Sequence, residues 1–391
     1  MRHTQSQVPS PQPSPQGRGG RRITVVTGSR ADFGLLTPVM RAIAARRGLR
    51  LQVVVTGTHL SSNTWRDVVD AGFDIAARVP MQRRGHIGRH ADVGALGRGI
   101  IGLGVAFTQL QPDVVLVLGD RIEALAAACA AHVGGLHLAH IHGGDRAEGV
   151  ADEAMRHAVS KLAHLHFAAT ARSRQRLIRM GEAPEWVWNV GSPAVDGLHD
   201  VTPAAAPLSL LRERAGVRVR RITAPQAIIM QHPIGATDAQ EERQMRATLA
   251  ATRSLTRIIL TPNSDPGSAG IRRALVGEQV VAHLPRPRFL AMLAGADLII
   301  GNSSAGLIEA AALRIPCVNI GPRQSGREKP SNVIDTAYGQ APVRAATRKA
   351  LAINRSRIGH PYGDGHTGPR IADLLTTVNL KSLPTRKQNS Y

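Results

Sequence analysis

Short apolar runs recur along this chain, each followed by a turn and a longer stretch with helical spacing, and that rhythm leaves few folds open. Strands buried on both faces read as unbroken apolar runs, and helical crossovers between them make a sheet parallel. Up to residue 200 the runs are Ile23–Thr27, Leu51–Thr56, Val114–Leu118, Leu136–Ile141, His166–Ala169 and Val187–Val190. After residue 222 they are Ala227–Gln231, Arg257–Leu260, Val280–Leu284, Leu298–Ile300 and Cys317–Ile320. The pattern predicts an α/β chain with two doubly wound, Rossmann-like sheets. The 391 residues suit two domains, at about 100 to 200 residues each. In such sheets ligands bind beyond the carboxyl ends of the strands, and two facing sheets make a cleft.

Composition marks the edges of these units. The opening stretch is built from Pro, Ser, Gln, Gly and Arg, with almost nothing to bury, so residues 1–21 are expected to be a disordered extension. Similar chemistry returns in TPAAAPLSLLRERAGVRVRR, which places a linker insertion at 201–222 between domains at 22–200 and 223–376, with a tail at 377–391. Lys and Arg total 49 against 28 Asp and Glu, a formal charge of +21 that invites a nucleic-acid or anionic-membrane partner. Residues 1–22, 202–221 and 344–391 hold +15 of this excess, and aromatic residues are only 3% of the chain, too few for base-stacking platforms. Cys129 and Cys317 stand far apart, without a zinc or disulfide pattern, which fits a reducing cytoplasm. No run approaches 18 consecutive apolar residues, and neither a membrane span nor a secretory signal is expected.

The chemistry-bearing residues follow strands. Gly301-Asn302-Ser303-Ser304-Ala305-Gly306 places glycine and hydroxyl residues where a strand turns into a helix, which suits either a phosphate held by free N–H groups or an ordinary helix cap. Glu309 could accept from ribose hydroxyls, and Arg323, Arg327 and Lys329 add cations in a nearby loop or simply solvate it. In Ser29-Arg30-Ala31-Asp32, Asp32 reads as a helix cap, whereas Arg30 could reach a diphosphate with its guanidinium fork. Asp120 ends an apolar strand, as a turn residue or a site residue. The densest acidic stretch, Asp145, Glu148, Asp152 and Glu153, follows the pair Gly143-Gly144 and runs into Arg156 and His157. Carboxylates gathered at one cleft are expected to raise one another's pKa, as a proton-abstracting site near neutral pH requires; a solvated ion-pair ladder is the plainer alternative. His137, His140 and His142 alternate along a strand without acids at metal spacing, so no metal site is expected.

Taken together, TGSRADFGLL from Thr27, LGDR from Leu118, HIHGGD from His140, ADEAMRHAVSKLAHLHF from Ala151, QHP from Gln231, GNSSAGLIEA from Gly301 and IGPRQSGR from Ile320 resemble the UDP-N-acetylglucosamine 2-epimerase family. The likeness extends from about Arg22 to Leu375 and is greatest to the hydrolysing branch, which makes N-acetylmannosamine and UDP for sialic-acid-type sugars. It implies a GT-B architecture, no cofactor, a nucleotide-sugar substrate and a homo-oligomer. Carried over by motif, Asp120, Asp145 and Asp152 would be the catalytic acids and His232 the histidine of the second domain. Arg30, Asn302, Ser303, Ser304, Gly306, Glu309, Arg323 and Arg327 would bind the substrate's nucleotide part. The implied reaction is anti elimination of UDP to 2-acetamidoglucal, then hydration with inversion at carbon 2. Two positions depart from the branch: Asp145 stands where Glu is common, and Pro322 where a polar residue is usual. Relatives with GDP-linked or 2,4-diacetamido donors, a non-hydrolysing epimerase and a GT-B glycosyltransferase share the scaffold; a basic nucleic-acid-binding protein is the alternative from another class.

Overall fold

A computed structural model describes residues 19–390 except 84, 87, 148–152, 204–223, 264, 282–283 and 389. The expected extension and the linker insertion therefore lie almost wholly outside the described residues. The first sheet has seven strands: β1 Arg21–Thr27, β2 Leu49–Thr56, β3 Ile75–Val79, β4 Val114–Leu118, β5 His137–Ile141, β6 Leu165–Ala168 and β7 Val187–Asn189. The second has six: β8 Gln226–Met230, β9 Thr256–Leu260, β10 Val280–Val281, β11 Leu298–Gly301, β12 Cys317–Ile320 and β13 Val333–Thr336. Every pairing is parallel, in the orders β3-β2-β1-β4-β5-β6-β7 and β10-β9-β8-β11-β12-β13.

Each apolar run of the sequence forms a strand, although Ala282 and His283, in the run expected to reach Leu284, lie outside the described residues. Two strands have no such run. β3 alternates half-buried with exposed residues, and β13 carries Asp335 outward. Both are edge strands, which tolerate charge because only one side is paired. Strand order reverses between β1 and β4 in one sheet and between β8 and β11 in the other. These are the switch points where crossovers diverge to opposite faces and leave a crevice. Gly28, Asp120, His232 and Asn302 all follow those four strands.

Apolar clusters cover both faces of both sheets. The helix Arg89–Leu110 is long and apolar enough to cross a membrane by length and composition, yet it lays Ala95, Gly99, Leu103, Ala106 and Phe107 against the first sheet. The chain crosses between units after β7 and again before residue 367. The two crossing segments touch at Gly191 and Gly363, both with φ near +90°, where a Cβ on Gly363 would lie 2.9 Å from the Gly191 Cα.

The end of the chain returns to the first unit, whereas the sequence places residues up to 376 with the second. Helix Thr367–Thr377 packs on helix Arg30–Ala45, and Ile371 and Leu375 are fully buried among Ile23, Val25, Leu36 and Met40. Asp196, beyond β7, caps this helix by accepting from the N–H groups of Thr367 (2.9 Å) and Gly368 (2.6 Å). The tail stays docked: Leu383 is buried, His137 and His164 donate to the Leu383 and Thr385 carbonyls, and Lys387 pairs with buried Glu182.

All three tryptophans, Trp65, Trp186 and Trp188, pack against the core of the first unit, so their fluorescence reports on that unit. Ile371→Ala should lower its stability in a tryptophan-monitored urea titration by about 2 to 5 kcal/mol. An unchanged tryptophan transition would show that Thr367–Thr377 does not support the first sheet.

Candidate active site

The loop after β1 divides its duties. Ser29 and Asp32 form a reciprocal capping box on helix Arg30–Ala45, and the Asp32 carboxylate also accepts from the N–H groups of Gly28 and Ser29 at 2.8 and 2.7 Å. Asp32 is thus the cap that its position suggests. Arg30 points to Asp67, in an ion pair at the surface. Beneath the loop lies a carboxylate that the motif reading passes over. Glu123 is 2% exposed and accepts from Gln82 Nε2 at 3.0 Å and Arg121 Nε at 3.4 Å. A Cβ at Gly28 or at Gly57 would come within 2.5 Å of its side chain, so both glycines exist to admit it. The sequence signal is two glycines closing adjacent strands, with no indication of what they face.

Asp120 follows β4 and Gly119 and is ion-paired with Arg156, a guanidinium only 4% exposed on helix Glu153–Leu162. Arg156 also donates to the Asp145 carbonyl at 3.1 Å, so one buried cation fastens both acid-bearing loops. Burial, and then the charge of Arg327, push its pKa down to about 9. Asp152 and Glu148 lie outside the described residues, so the expected third acid has no position here.

Asp145 is held on three sides. His142 Nδ1 lies 2.9 Å from its Oδ2, the Ser173 hydroxyl donates to Oδ1 at 2.7 Å, and Arg327 Nη1 approaches Oδ2 at 3.7 Å. Burial alone would raise this carboxyl, but the contact with His142, the charge of Arg327 and the Ser173 hydrogen bond outweigh it and bring it to about 2. The expectation that clustered acids raise one another's pKa is therefore wrong for Asp145: its neighbours are cations and donors, not other carboxylates. The remaining histidines of the strand have protein partners of their own. His140 joins Ser160 to the Gly119 carbonyl, and burial takes its pKa down to about 3.

The second unit offers the opposite chemistry. Asn302 is fully buried and uses both ends of its amide on His232, accepting from the backbone N–H at 2.7 Å and donating to the carbonyl at 2.8 Å. It sets the loop rather than presenting a free side chain. The Asn263 N–H donates to His232 Nδ1 at 3.2 Å, which puts the ring proton on Nε2. Burial, with help from Arg323, takes His232 down to about 3, so it is neutral at physiological pH. Ser303 caps a single 3₁₀ turn, Ser304–Gly306, and the regular helix that follows spans only Glu309–Ala312. Among the described residues the N–H groups of Ser303 and Ser304 take no protein acceptor, as expected at the start of a helical turn. Gly306 answers a packing need, since a Cβ there would lie 2.5 Å from Cys317 Sγ. Glu309 accepts from Arg286 Nη1 at 3.0 Å, and Arg286 Nη2 donates to the Ala194 carbonyl at 2.7 Å, tying the second unit to a crossing segment. Arg323 and Gln324 donate to the Asn302 carbonyl at 3.4 and 2.8 Å.

The units meet at Asp145 and Arg327, in a crevice lined also by Arg146, Ser173, Arg176, Glu328 and Tyr362. Arg327 Nε is buried without an acceptor among the described residues. An acid of the first unit, Asp145, thus faces a cation from the second, while the guanidinium of Arg30 is engaged by Asp67.

Comparison with known proteins agrees with this construction. A family model described as UDP-N-acetylglucosamine 2-epimerase matches residues 41–376. The chain belongs to that family. It is 36% identical over 385 residues to a hydrolysing UDP-N,N'-diacetylbacillosamine 2-epimerase of Legionella pneumophila, covering 95% of this chain and all of the relative. It is 30% identical over 383 residues to a UDP-N-acetylglucosamine 2-epimerase of Neisseria meningitidis, covering 94% and 98%. In fold it resembles the Methanocaldococcus jannaschii UDP-GlcNAc 2-epimerase crystallised with UDP-GlcNAc and UDP, with a TM-score of 0.76 at 18% identity, over 91% of this chain and all of that one. The family's two parallel-sheet α/β domains of GT-B type are present here.

The state of His232 can be measured. Its ring should stay neutral, with the proton on Nε2, from about pH 7 down to pH 4 in long-range proton–nitrogen NMR spectra. An unfolded imidazole binds a proton near pH 6.5, so unfolding takes up a proton between there and about 3. His232 therefore makes stability fall as pH drops through that window. An imidazolium signal at pH 6 would contradict the assignment.

Proposed function

We propose that this epimerase-family chain is hydrolysing: it eliminates UDP from an N-acetylated UDP-hexose and hydrates the resulting 2-acetamidoglucal, releasing UDP and the 2-epimeric free sugar. The elimination is carried by the approach of Asp145 to Arg327 across the two units, with Asp120 joined to the same array through Arg156, and the hydrolysing outcome is supported by the similarity to the hydrolysing diacetylbacillosamine 2-epimerase. The proton on carbon 2 of the sugar is barely acidic, so its removal must accompany departure of the diphosphate. A base and a diphosphate cradle must then face each other across one crevice. Arg323, Arg327, the His232 Nε2–H and the N–H groups at Ser303 and Ser304 supply donors for the leaving group, a contribution of about 3 to 4 kcal/mol per well-placed donor. Asp120, Asp145 and Asp152 supply the carboxylates, each base or acid contributing roughly 100- to 10,000-fold.

Two similarities bear on the donor sugar. The greater identity to the diacetylbacillosamine enzyme, 36% against 30%, favours a substrate with a second acetamido group at carbon 4 over UDP-N-acetylglucosamine itself. Assembly as a homo-oligomer belongs to the same reading, and the exposed Val93, Ile101 and Val105 on one face of helix Arg89–Leu110 support it.

The test is to incubate the enzyme with UDP-N,N'-diacetylbacillosamine and with UDP-N-acetylglucosamine in deuterated water, following products by mass spectrometry. Free UDP and a free 2-epimeric sugar carrying one deuterium at carbon 2 are expected. Interconverted UDP-sugars without free UDP would make the enzyme non-hydrolysing, and acceptor-dependent transfer without deuterium would make it a glycosyltransferase. In the same assay Asp120→Asn should lower kcat by roughly 100- to 10,000-fold with UDP affinity nearly unchanged. Ser304→Ala keeps the backbone N–H and removes the hydroxyl, which the same reading also places on the nucleotide, so it should instead weaken UDP binding by about tenfold, measured by calorimetry, with kcat at saturation largely kept. The reverse pattern would exchange the roles of the two units.

A further inference from the structure

His142 has backbone geometry that a residue with a side chain rarely adopts. Its φ is +66°, in the left-handed region, although it is neither glycine nor at an exposed turn but 7% exposed. Such strain persists only where the surroundings fix it. Here the backbone N–H donates to the Phe167 carbonyl at 3.1 Å, and the ring is gripped at both nitrogens. Nδ1 lies 2.9 Å from Asp145 Oδ2, and Nε2 lies 2.9 Å from the Ser192 hydroxyl. The Asp145 carboxylate accepts, so Nδ1 carries a proton, and Nε2 shares its hydrogen bond with the Ser192 hydroxyl.

The order serine, histidine, aspartate is that of an acyl-transfer triad, but the serine cannot attack anything. Ser192 is fully buried, and its oxygen already accepts from the Ala194 N–H at 3.2 Å. The relay works in the other direction. Ser192 lies on the first crossing segment, and its N–H donates at 2.9 Å to the carbonyl of Tyr362, on the second. Tyr362 in turn donates its hydroxyl to the Glu328 carbonyl at 2.7 Å, one residue from Arg327. A continuous set of hydrogen bonds therefore runs from the crossing segments through His142 to Asp145, and another from Tyr362 to the loop of Arg327.

We propose that His142 is a positioning residue that fixes the Asp145 carboxylate relative to the crossing segments, so that the acid takes its working orientation only when the two units are correctly set. This rests on Asp145 being an acid of the proposed reaction. His142 itself need not touch the sugar nucleotide.

Substitutions separate this role from mere structure. Asparagine tolerates positive φ and places an amide N–H where Nδ1 stands, so His142→Asn keeps the hold on Asp145. Glutamine extends past Asp145 towards Ser192 and does not. With UDP-N,N'-diacetylbacillosamine or UDP-N-acetylglucosamine as substrate, whichever releases UDP, His142→Gln should lower kcat about tenfold to a hundredfold with KM within about twofold. His142→Asn should restore kcat to within about threefold of the parent enzyme. Ser192→Ala, a milder change should His142→Gln fail to fold, should lower kcat severalfold at unchanged KM. In an Asp145→Asn background the effect of His142→Gln should vanish.

Parent-like kcat in His142→Gln, no rescue by asparagine, no effect of Ser192→Ala, or a His142→Gln loss that persists without the Asp145 carboxylate would each overturn the proposal. Asp145→Asn alone distinguishes the two layers. If it lowers kcat by roughly 100- to 10,000-fold and leaves a measurable residual rate, any of those results removes only the role of His142. If it turns over at the parent rate, the acid assignment falls first and takes the positioning role with it.

Discussion

Four charged side chains share one desolvated space where the two sheets face each other: Asp120, Asp145 and Arg156 from the first unit and Arg327 from the second. None of them would be stable there alone, because an unpaired buried charge loses far more in hydration than the protein interior returns. Their arrangement alternates sign, and the two arginines still disfavour each other enough to help pull Arg156 down to about 9. The crevice at Arg327 is lined also by Arg146 and Arg176, so three guanidiniums face the carboxylates of Asp145 and Glu328. In the proposed reaction an arriving diphosphate would meet this cationic side, and binding of the leaving group would be coupled to release of Asp145 from its ion pair with Arg327.

The same dependence explains why the chain is threaded as it is. The second unit, which carries Arg327, is held against the first through the two crossing segments and the Asp145–Arg327 approach. The crossings meet at Gly191 and Gly363, where only glycine permits the approach, and Arg286 links Glu309 to the Ala194 carbonyl beside them. The return of helix Thr367–Thr377 to the first sheet, capped by Asp196, anchors the second crossing at both ends. Without that anchor the second unit would hang on a single connection, and the Asp145–Arg327 distance would be set by chain entropy rather than by packing.

Much of this is legible in the sequence, and the limits are physical. Central strands announce themselves because both faces are buried, so β1, β4, β8 and β11, which carry the site, follow from apolar runs alone. The edge strands β3 and β13 do not, because half their residues meet water. The motifs name the residues around Asp120, Asp145, His232, Ser303 and Arg327 but misjudge the electrostatics of Asp145. Asp145 is expected among acids and stands among donors, since the side chains that surround it, His142, Ser173 and Arg327, come from three separate places in the chain. Glu123 and Arg286 escape the motifs for the same reason: each matters through a partner remote in sequence, a pair of glycines in one case and a carbonyl of a crossing segment in the other. The final helix is assigned to the wrong neighbour because its apolar spacing says that it is buried, not against what.

The acid state of Asp145 bears directly on how an elimination could begin. A carboxylate held near a pKa of about 2 is ionised but a poor base, because His142, Ser173 and Arg327 already stabilise its charge. Its basicity would rise if those partners were withdrawn, and of the three only Arg327 belongs to the other unit; in the proposed reaction the diphosphate would draw it away. Under the proposed reaction, coupling the two would remove the conflict between a site that keeps a buried acid charged while empty and one that pulls a weakly acidic proton when full. Substrate binding would then supply the base its strength, and the carboxylate would be reactive only when a leaving group was in place to depart.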